Sequence, residues 1–271
     1  MTRRARLDAE LVRRGLARSR EHASQLIQDG RVTVRGTVAS KPATAVEADA
    51  PVVVKGVADD PGWASRGAHK LLGALAAFEP AGLRVAGRRC LDAGASTGGF
   101  TDVLLRRGAR SVVAADVGRG LLDWRLRTDP RVLVLDRTNV RALESRQTGG
   151  PVDLVVADLS FISLRLVLPA LLACCTPDAD LVPMIKPQFE VGRDRLGSGG
   201  VVRDPGLRAE VVRDVLAAAG EQGLRAHGVV ASPLPGPAGN VEYFAWLRQG
   251  EPLAEEQVAA LVDVAVREGP Q

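Results

Sequence analysis

The sequence predicts an α/β protein: a sheet of seven strands covered by helices, preceded by a small α+β module. Three observations carry this. Beyond residue 88, short runs rich in Val, Ala and Leu alternate with helix-forming segments, the pattern of a parallel sheet buried on both faces. Most of these runs end in a charged residue, as strands do when they open onto a ligand crevice. Positive charge is also uneven. Residues 1–41 hold ten Lys and Arg against four Asp and Glu, so they carry +6, while the whole chain carries +4 and the remainder therefore −2.

In the first module, Leu7, Leu11 and Val12 share one face of a short helix, and Gly15 follows its end. Ser19 suits the N-cap of a second helix through Gln28, with Ala23, Leu26 and Ile27 on its apolar face and Gly30 as its stop. Val32-Thr-Val34-Arg-Gly36-Thr-Val38 alternates around a glycine, as a hairpin does. Arg13, Arg14, Arg18, Arg20, Arg31 and Arg35 are left pointing outward. A basic face of this kind is the footprint of a nucleic-acid-binding module. Residues 51–64 break all periodicity through Pro51, Gly56, Asp59, Asp60, Pro61 and Gly62 and read as linker. The expected organisation is a basic domain over 1–60, a linker at 61–64 and an α/β domain over 65–271.

The elements of that second domain follow in order. A helix starts near Lys70. An apolar strand runs into Cys90-Leu-Asp92, turns through Ala-Gly94-Ala-Ser96-Thr97-Gly98-Gly99 and opens a helix at Phe100 that continues over Thr101–Arg107. Ser111–Asp116 is a strand, Gly120–Leu126 a helix, Val132–Leu135 a short strand and Val152–Asp158 another. Leu164–Cys175 reads as helical despite Pro169, Asp180–Lys186 as a strand and Leu207–Gln222 as a helix. Arg225–Ala231 and Val241–Leu247 supply the last two strands, and a helix follows Pro252. The whole is Rossmann-like.

Composition excludes several classes. No apolar run approaches the ~20 residues of a membrane span, and the start Met1-Thr-Arg-Arg-Ala-Arg has no apolar stretch behind it. Cys90, Cys174 and Cys175 form neither a metal spacing nor an even disulfide set, which indicates buried thiols in a cytoplasmic protein. The three His are scattered, and no metal site is expected.

The glycine turn carries the chemistry. Its spacing, Asp-x-Gly-x-x-x-Gly-Gly, is not the Gly-x-Gly-x-x-Gly that cradles a pyrophosphate, and Asp92 would repel one. A ligand with positive groups and no phosphate suits it. S-adenosylmethionine, with an ammonium and a sulfonium, is the expected cofactor, held by Asp92, Gly94, Ser96, Thr97, Gly98, Gly99 and Phe100. Asp116, 24 positions beyond Asp92, stands where an acid meets ribose hydroxyls. Asp136 and Asn139 follow the third strand, within reach of the adenine, and Asp158 ends the fourth. Lys186 closes a buried strand, an expensive place for a lysine unless a carboxylate or substrate meets it. The acids expected to flank it are Asp158 and Glu242.

Two resemblances follow from these motifs. Arg6-Leu-Asp8, Leu-Val-Arg-Arg-Gly15-Leu-Ala-Arg18-Ser-Arg20 and Gly30-Arg-Val-Thr-Val resemble, over residues 4–50, the small RNA-binding domain named after the small-subunit ribosomal protein S-four. Ser65-Arg66-Gly67-Ala68-His69-Lys70, Asp92-Ala-Gly-Ala-Ser-Thr-Gly-Gly-Phe100, Asp158-Leu-Ser-Phe-Ile-Ser163, Lys186-Pro-Gln-Phe-Glu190 and Gly239-Asn-Val-Glu242-Tyr-Phe resemble the TlyA (hemolysin A) family of ribosomal RNA 2′-O-methyltransferases across nearly the whole chain. Its catalytic part is similar to the FtsJ methyltransferases, of the seven-stranded class I type. The resemblance implies a Lys-Asp-Lys-Glu tetrad of Lys70, Asp158, Lys186 and Glu242, methylation of cytidines in 16S and 23S ribosomal RNA within ribosomal subunits, and RNA contacts from Arg4, Arg6, Arg14, Arg18, Arg20, Arg66 and His69. A monomer without membrane association is expected. The chain departs from the family in one place. Where members have Arg-x-Trp-Val before the Ser-Arg-Gly-Ala-His-Lys run, it has Pro61-Gly62-Trp63-Ala64.

Other classes fit less well. A nicotinamide-dependent dehydrogenase would need a hydride-transfer Tyr/Lys or His/Asp pair, and the single Tyr is Tyr243. A binding protein with a dead fold predicts a damaged turn or tetrad, and both are intact. A pore-former needs an amphipathic or apolar membrane segment. A base methyltransferase would more often carry Asn/Asp-Pro-Pro-aromatic where this chain has Asp158-Leu-Ser-Phe.

Overall fold

The computed structural model describes residues 4–17, 20–28, 30–54, 62–236 and 238–270. The chain divides into two compact units, Met1–Gly62 and Trp63–Gln271.

The first unit has strand β1 (Arg4–Arg6), helices α1 (Leu7–Arg13) and α2 (Arg20–Gln28), and strands β2 (Val32–Val34), β3 (Thr37–Val38), β4 (Ala45–Glu47) and β5 (Val52–Val54). Leu7 and Leu11, four apart on α1, pack with Ala23, Leu26 and Ile27 of α2 and with Val32 and Val46 into one small core. The hairpin β2–β3 turns on Arg35 and Gly36, both at positive φ, which matches the twist of the strands it joins. β5 pairs with β2, so residues 52–54 are a strand of this unit and not linker. The expected N-cap Ser19, the expected RNA contact Arg18 and linker residues 55–61 lie outside the described residues.

Arg14 corrects the outward-facing reading. Only a fifth of its side chain is exposed, and it bonds Glu10 at 2.7 Å and the carbonyls of Ala50 and Ala48 at 2.7 and 3.0 Å. It ties α1 to the chain over residues 48–50, because a largely covered guanidinium gives its donors to nearby acceptors. Its partner Glu10 is held down to about 2, first by its hydrogen bond with Arg13 and then by that with Arg14. Arg4, Arg6 and Arg20 stay exposed while pairing with Glu47, Asp8 and Asp8 at 3.3, 2.8 and 3.1 Å.

The second unit holds α3 (Gly67–Phe78), β6 (Arg89–Ala93), α4 (Gly99–Arg106), β7 (Ser111–Ala115), α5 (Trp124–Arg127), β8 (Val132–Leu135), β9 (Val152–Ala157), α6 (Leu168–Ala173), β10 (Cys175–Ile185), α7 (Pro187–Glu190), α8 (Pro205–Glu221), β11 (Leu224–Ala231), β12 (Tyr243–Gln249) and α9 (Glu255–Glu268). Seven strands form one sheet in the order β11-β12-β10-β9-β6-β7-β8. Alternate residues of each strand feed opposite cores. Leu91, Val113, Val155 and Leu181 pack under α6, α8 and α9, and Cys90, Val112, Leu154 and Val182 pack under α3 and α4.

The sheet is mixed, not wholly parallel. β12 is antiparallel to both β10 and β11, and the other neighbours run parallel. Three elements also differ from expectation. Helix α5 covers only Trp124–Arg127, because Asp123 caps it by accepting from the Arg125 amide at 2.9 Å. The segment from Leu164 is a 3-10 turn, then α6 with Pro169 in its first turn, where no amide is needed. Cys175 already belongs to β10 and is only half-buried, whereas Cys90 and Cys174 are buried.

At one end of the sheet the fully buried Asp180 accepts from Arg88 at 2.5 Å, Trp246 Nε1 at 2.6 Å and Arg248 at 2.7 Å, joining β10 to β12 and to the loop before β6. Strand order reverses between β6 and β9, so the crevice opens at the opposite, carboxyl end of these two strands.

Candidate active site

The turn from β6 to α4 lies at this reversal. Gly94 has φ +87, and a Cβ there would stand 2.5 Å from the Asp158 carbonyl oxygen at the end of β9. Gly98 has φ +96, and a Cβ there would stand 2.8 Å from Leu122 and closer still to Leu126. A side chain would be strained at both positions and at Gly94 would strike backbone, so the turn comes close to the end of β9 there. Asp92 is wholly buried. Its Oδ2 accepts from Thr101 at 2.7 Å, and its Oδ1 has no partner. Burial is the main cause that pushes this carboxyl up to about 7; Thr101 opposes the shift, and the charges of Asp158 and Asp116 add to it. Asp116 follows β7. It accepts from the Ser96 amide at 2.9 Å and the Gly118 amide at 2.7 Å, tying the turn to the next loop. Ser96 itself sits at φ +48.

Two expected ligand contacts are already engaged. Asp136 pairs with Arg127 at 2.8 Å, which lowers its pKa. The Asn139 side chain caps a 3-10 turn by accepting from the Arg141 amide at 3.0 Å.

The four charged residues singled out from sequence reach this edge from separate elements. Lys70 lies on the inner side of the first turn of α3, with Arg66 and His69 exposed beside it. Asp158 follows β9, Lys186 follows β10, and Glu242 precedes β12. Because β12 is reversed, its beginning meets the ends of the others. The expectation that Asp158 and Glu242 both flank Lys186 is corrected. The residues form two ion pairs, Lys186–Asp158 at 2.5 Å and Lys70–Glu242 at 2.5 Å. The first is a charge contact without hydrogen-bond alignment, since Asp158 Oδ1 has no hydrogen-bond partner, and Lys186 instead donates to Ser160 Oγ at 3.1 Å. Lys70, Lys186 and Glu242 are all buried.

Several neighbours escaped the sequence reading. Gln188 donates to Glu242 Oε1 at 3.2 Å. Glu190 accepts from Ser163 Oγ at 2.5 Å and the Leu164 amide at 2.6 Å, fixing the loop after β9. In that loop Phe161, at φ +65 and 91% exposed, lies 5.1 Å from the Phe189 ring. The buried Asn240 bonds Val202 and Gly200, both at 2.9 Å. All four stand inside or next to motifs visible in the sequence, but only the fold gives them partners. At the start of the unit, the Arg106 guanidinium covers the Trp63 ring at 4.2 Å, and Ala64 donates to Asp102 at 2.9 Å, so Trp63 and Ala64 are fastened to α4. Among the described residues no group of His, Cys, Asp and Glu is placed to hold a metal, and no helix is long and apolar enough to cross a membrane.

The FtsJ-like methyltransferase family model matches residues 63–249, and the S4 domain model matches residues 5–52. The 16S/23S rRNA (cytidine-2′-O)-methyltransferase TlyA of Mycobacterium tuberculosis is 60% identical over 272 residues, covering 100% of both chains. This chain belongs to the TlyA family of FtsJ-like methyltransferases. YqxC of Bacillus subtilis is 39% identical over 97% of this chain and 95% of its own. A solved structure from Streptococcus thermophilus, 35% identical, covers 99% of this chain and 98% of that one with a TM-score of 0.76. In the TlyA family, then, the methyltransferase domain is the seven-stranded unit, and the basic unit is its S4 domain.

Proposed function

We propose that this TlyA-family chain is an S-adenosylmethionine-dependent ribose 2′-O-methyltransferase that modifies cytidines of 16S and 23S ribosomal RNA within ribosomal subunits, acting as a cytoplasmic monomer. The observation that carries the reading is the meeting, from four elements, of two Lys–carboxylate pairs, Lys70–Glu242 buried and Lys186 paired with the half-buried Asp158, at the sheet edge that holds the glycine turn.

The residues present fit the cofactor. Asp92 Oδ1 is a buried acceptor without a partner, and the turn above it is built of backbone that comes close without side chains. Such a cradle favours a group carrying positive charge. Asp92, Gly94, Ser96, Thr97, Gly98, Gly99 and Phe100 would hold it, with Asp116 on its ribose, Asp136 and Asn139 beside its adenine and Asp158 at its far edge. Bound there, S-adenosylmethionine supplies an electrophilic methyl group on a sulfonium.

The chain's own residues do the rest. A ribose 2′-hydroxyl is a weak nucleophile at neutral pH, and in-line attack needs placement and charge stabilisation rather than a metal. Lys186, held by Asp158 and Ser160, receives the hydroxyl and stabilises negative charge as it grows on the 2′-oxygen. Lys70, fixed by Glu242, steadies the ribose or the adjoining phosphate. Arg66 and His69, exposed on the same helical turn as Lys70, meet the RNA near the target. The S4 unit presents Arg4, Arg6 and Arg20 to phosphates, with Arg18 in the same basic motif and Arg14 bracing the fold behind them.

The test is mass spectrometry of rRNA nucleosides after hypomethylated subunits are incubated with the protein and S-adenosylmethionine. The expected product is 2′-O-methylcytidine. Unmodified RNA, or a base-methylated nucleoside, rejects the reading. Calorimetry should also show binding of S-adenosylmethionine or its demethylated product and none of NAD.

A further inference from the structure

We propose that Gln188 is a positioning residue of the transfer site: its side-chain amide sets the Glu242 carboxylate against Lys70 and ties that pair to the element bearing Lys186. The inference rests on the reaction proposed above.

Three observations lead to it. Gln188 Nε2 donates to Glu242 Oε1 at 3.2 Å, and Lys70 Nζ takes Glu242 Oε2 at 2.5 Å, so each carboxylate oxygen has its own donor. Gly236 lies against the same Oε1, where a Cβ would stand 2.6 Å away, so the carboxylate occupies space that only a glycine leaves open. Gln188 sits in α7, two positions after Lys186 and at the opening of the same short turn, so its amide is the link between the two ion pairs.

The orientation of the amide supports a functional role. An ionised carboxylate only accepts hydrogen bonds, so the end of Gln188 that faces Glu242 has to be Nε2. The other end, Oε1, is then buried and without a partner. Buried polar atoms are satisfied in the great majority of cases. An amide placed to satisfy itself would not leave its carbonyl bare, so this one is oriented for Glu242.

Single-turnover methylation of hypomethylated subunits with labelled S-adenosylmethionine tests the idea, using Gln188→Met, Gln188→Glu and Lys186→Ala in the full chain. Gln188→Met removes the donor. It should lower the maximal rate roughly 10-fold or more, the scale of one hydrogen bond to a charged group, while the half-saturating subunit concentration and the S-adenosylmethionine affinity stay put. Gln188→Glu keeps the shape but sets carboxylate against carboxylate, and it should be slower than Gln188→Met. A packing role predicts the reverse order, because glutamate is the closer match in shape. Rates of both variants within twofold of wild type overturn the proposal, as does an effect confined to half-saturation. Should Gln188→Met lower the unfolding midpoint, Gln188→Glu decides: a wild-type rate in that variant overturns the proposal. An inactive Lys186→Ala beside active Gln188 variants removes Gln188 alone, whereas an active Lys186→Ala removes the reaction assigned to the site.

Discussion

Replacing Asp92 by Asn tests the account of the glycine turn through its charge. The carboxyl is wholly buried in β6, has one hydrogen bond and one bare oxygen, and titrates at about 7 instead of the usual 3.8, chiefly because burial penalises its ionised form. Between those two values the folded chain binds more protons than the unfolded chain. Stability therefore falls as pH rises through that window and levels off above about 7. A shift of roughly three units at about 1.4 kcal/mol each sets a ceiling of about 4 kcal/mol. Asp92→Asn has nearly the same shape and no such titration. Urea unfolding of the ligand-free protein at constant ionic strength, from pH 5 to pH 8, should show the variant gaining about 2 to 3 kcal/mol relative to wild type over that range. S-adenosylmethionine should reverse the order, since the wild type keeps the charge that meets the cation and so gains more from binding. A stability difference between the two proteins that stays flat across the whole pH range refutes the reasoning.

Three further outcomes are expected. Lys186→Ala should cut the single-turnover rate by roughly 10²-fold or more, as removal of a charge-stabilising group at a reacting centre does, with circular dichroism and RNA affinity nearly unchanged; near wild-type methylation would leave the lysine a structural partner of Asp158. Removing residues 1–62 should weaken binding to ribosomal subunits and flatten its salt dependence, because fewer phosphate counterions are released, while calorimetry still shows S-adenosylmethionine binding. Asp180→Ala should cost about 3–5 kcal/mol in denaturant unfolding, since it strands Arg88, Arg248 and Trp246 beside a buried gap, and cofactor affinity should survive because this hub lies at the other end of the sheet.

Much of the site was legible because the fold spends charge sparingly. An apolar run that meets Asp92, Asp158 or Lys186 at or next to its end marks the carboxyl end of its strand, and parallel neighbours bring such ends together. The partners were not legible. Which acid meets which lysine depends on where α3 and β12 lie, and β12 runs antiparallel to both of its neighbours, β10 and β11, a direction that a short apolar run does not reveal. Arg14 looked like its exposed neighbours because a basic helix face gives no sign of which arginine the chain folds over. The helix expected over Gly120–Leu126 failed in its first half, where Asp123 starts the helix late by capping it. Gln188, Glu190 and Asn240 drew no attention because an uncharged or loop-adjacent polar residue becomes informative only once its bonds are known.

The reversed strand also has a bearing on how the protein comes into being. Lys70 waits for a partner that lies 172 positions further along the chain. In the sheet β12 lies between β10 and β11, so Glu242 is brought to Lys70 only where the last strand in the chain has paired. Without that pairing Lys70 lacks its carboxylate partner. A chain that ends before residue 242 therefore lacks both the counter-charge of Lys70 and the strand that joins β10 to β11.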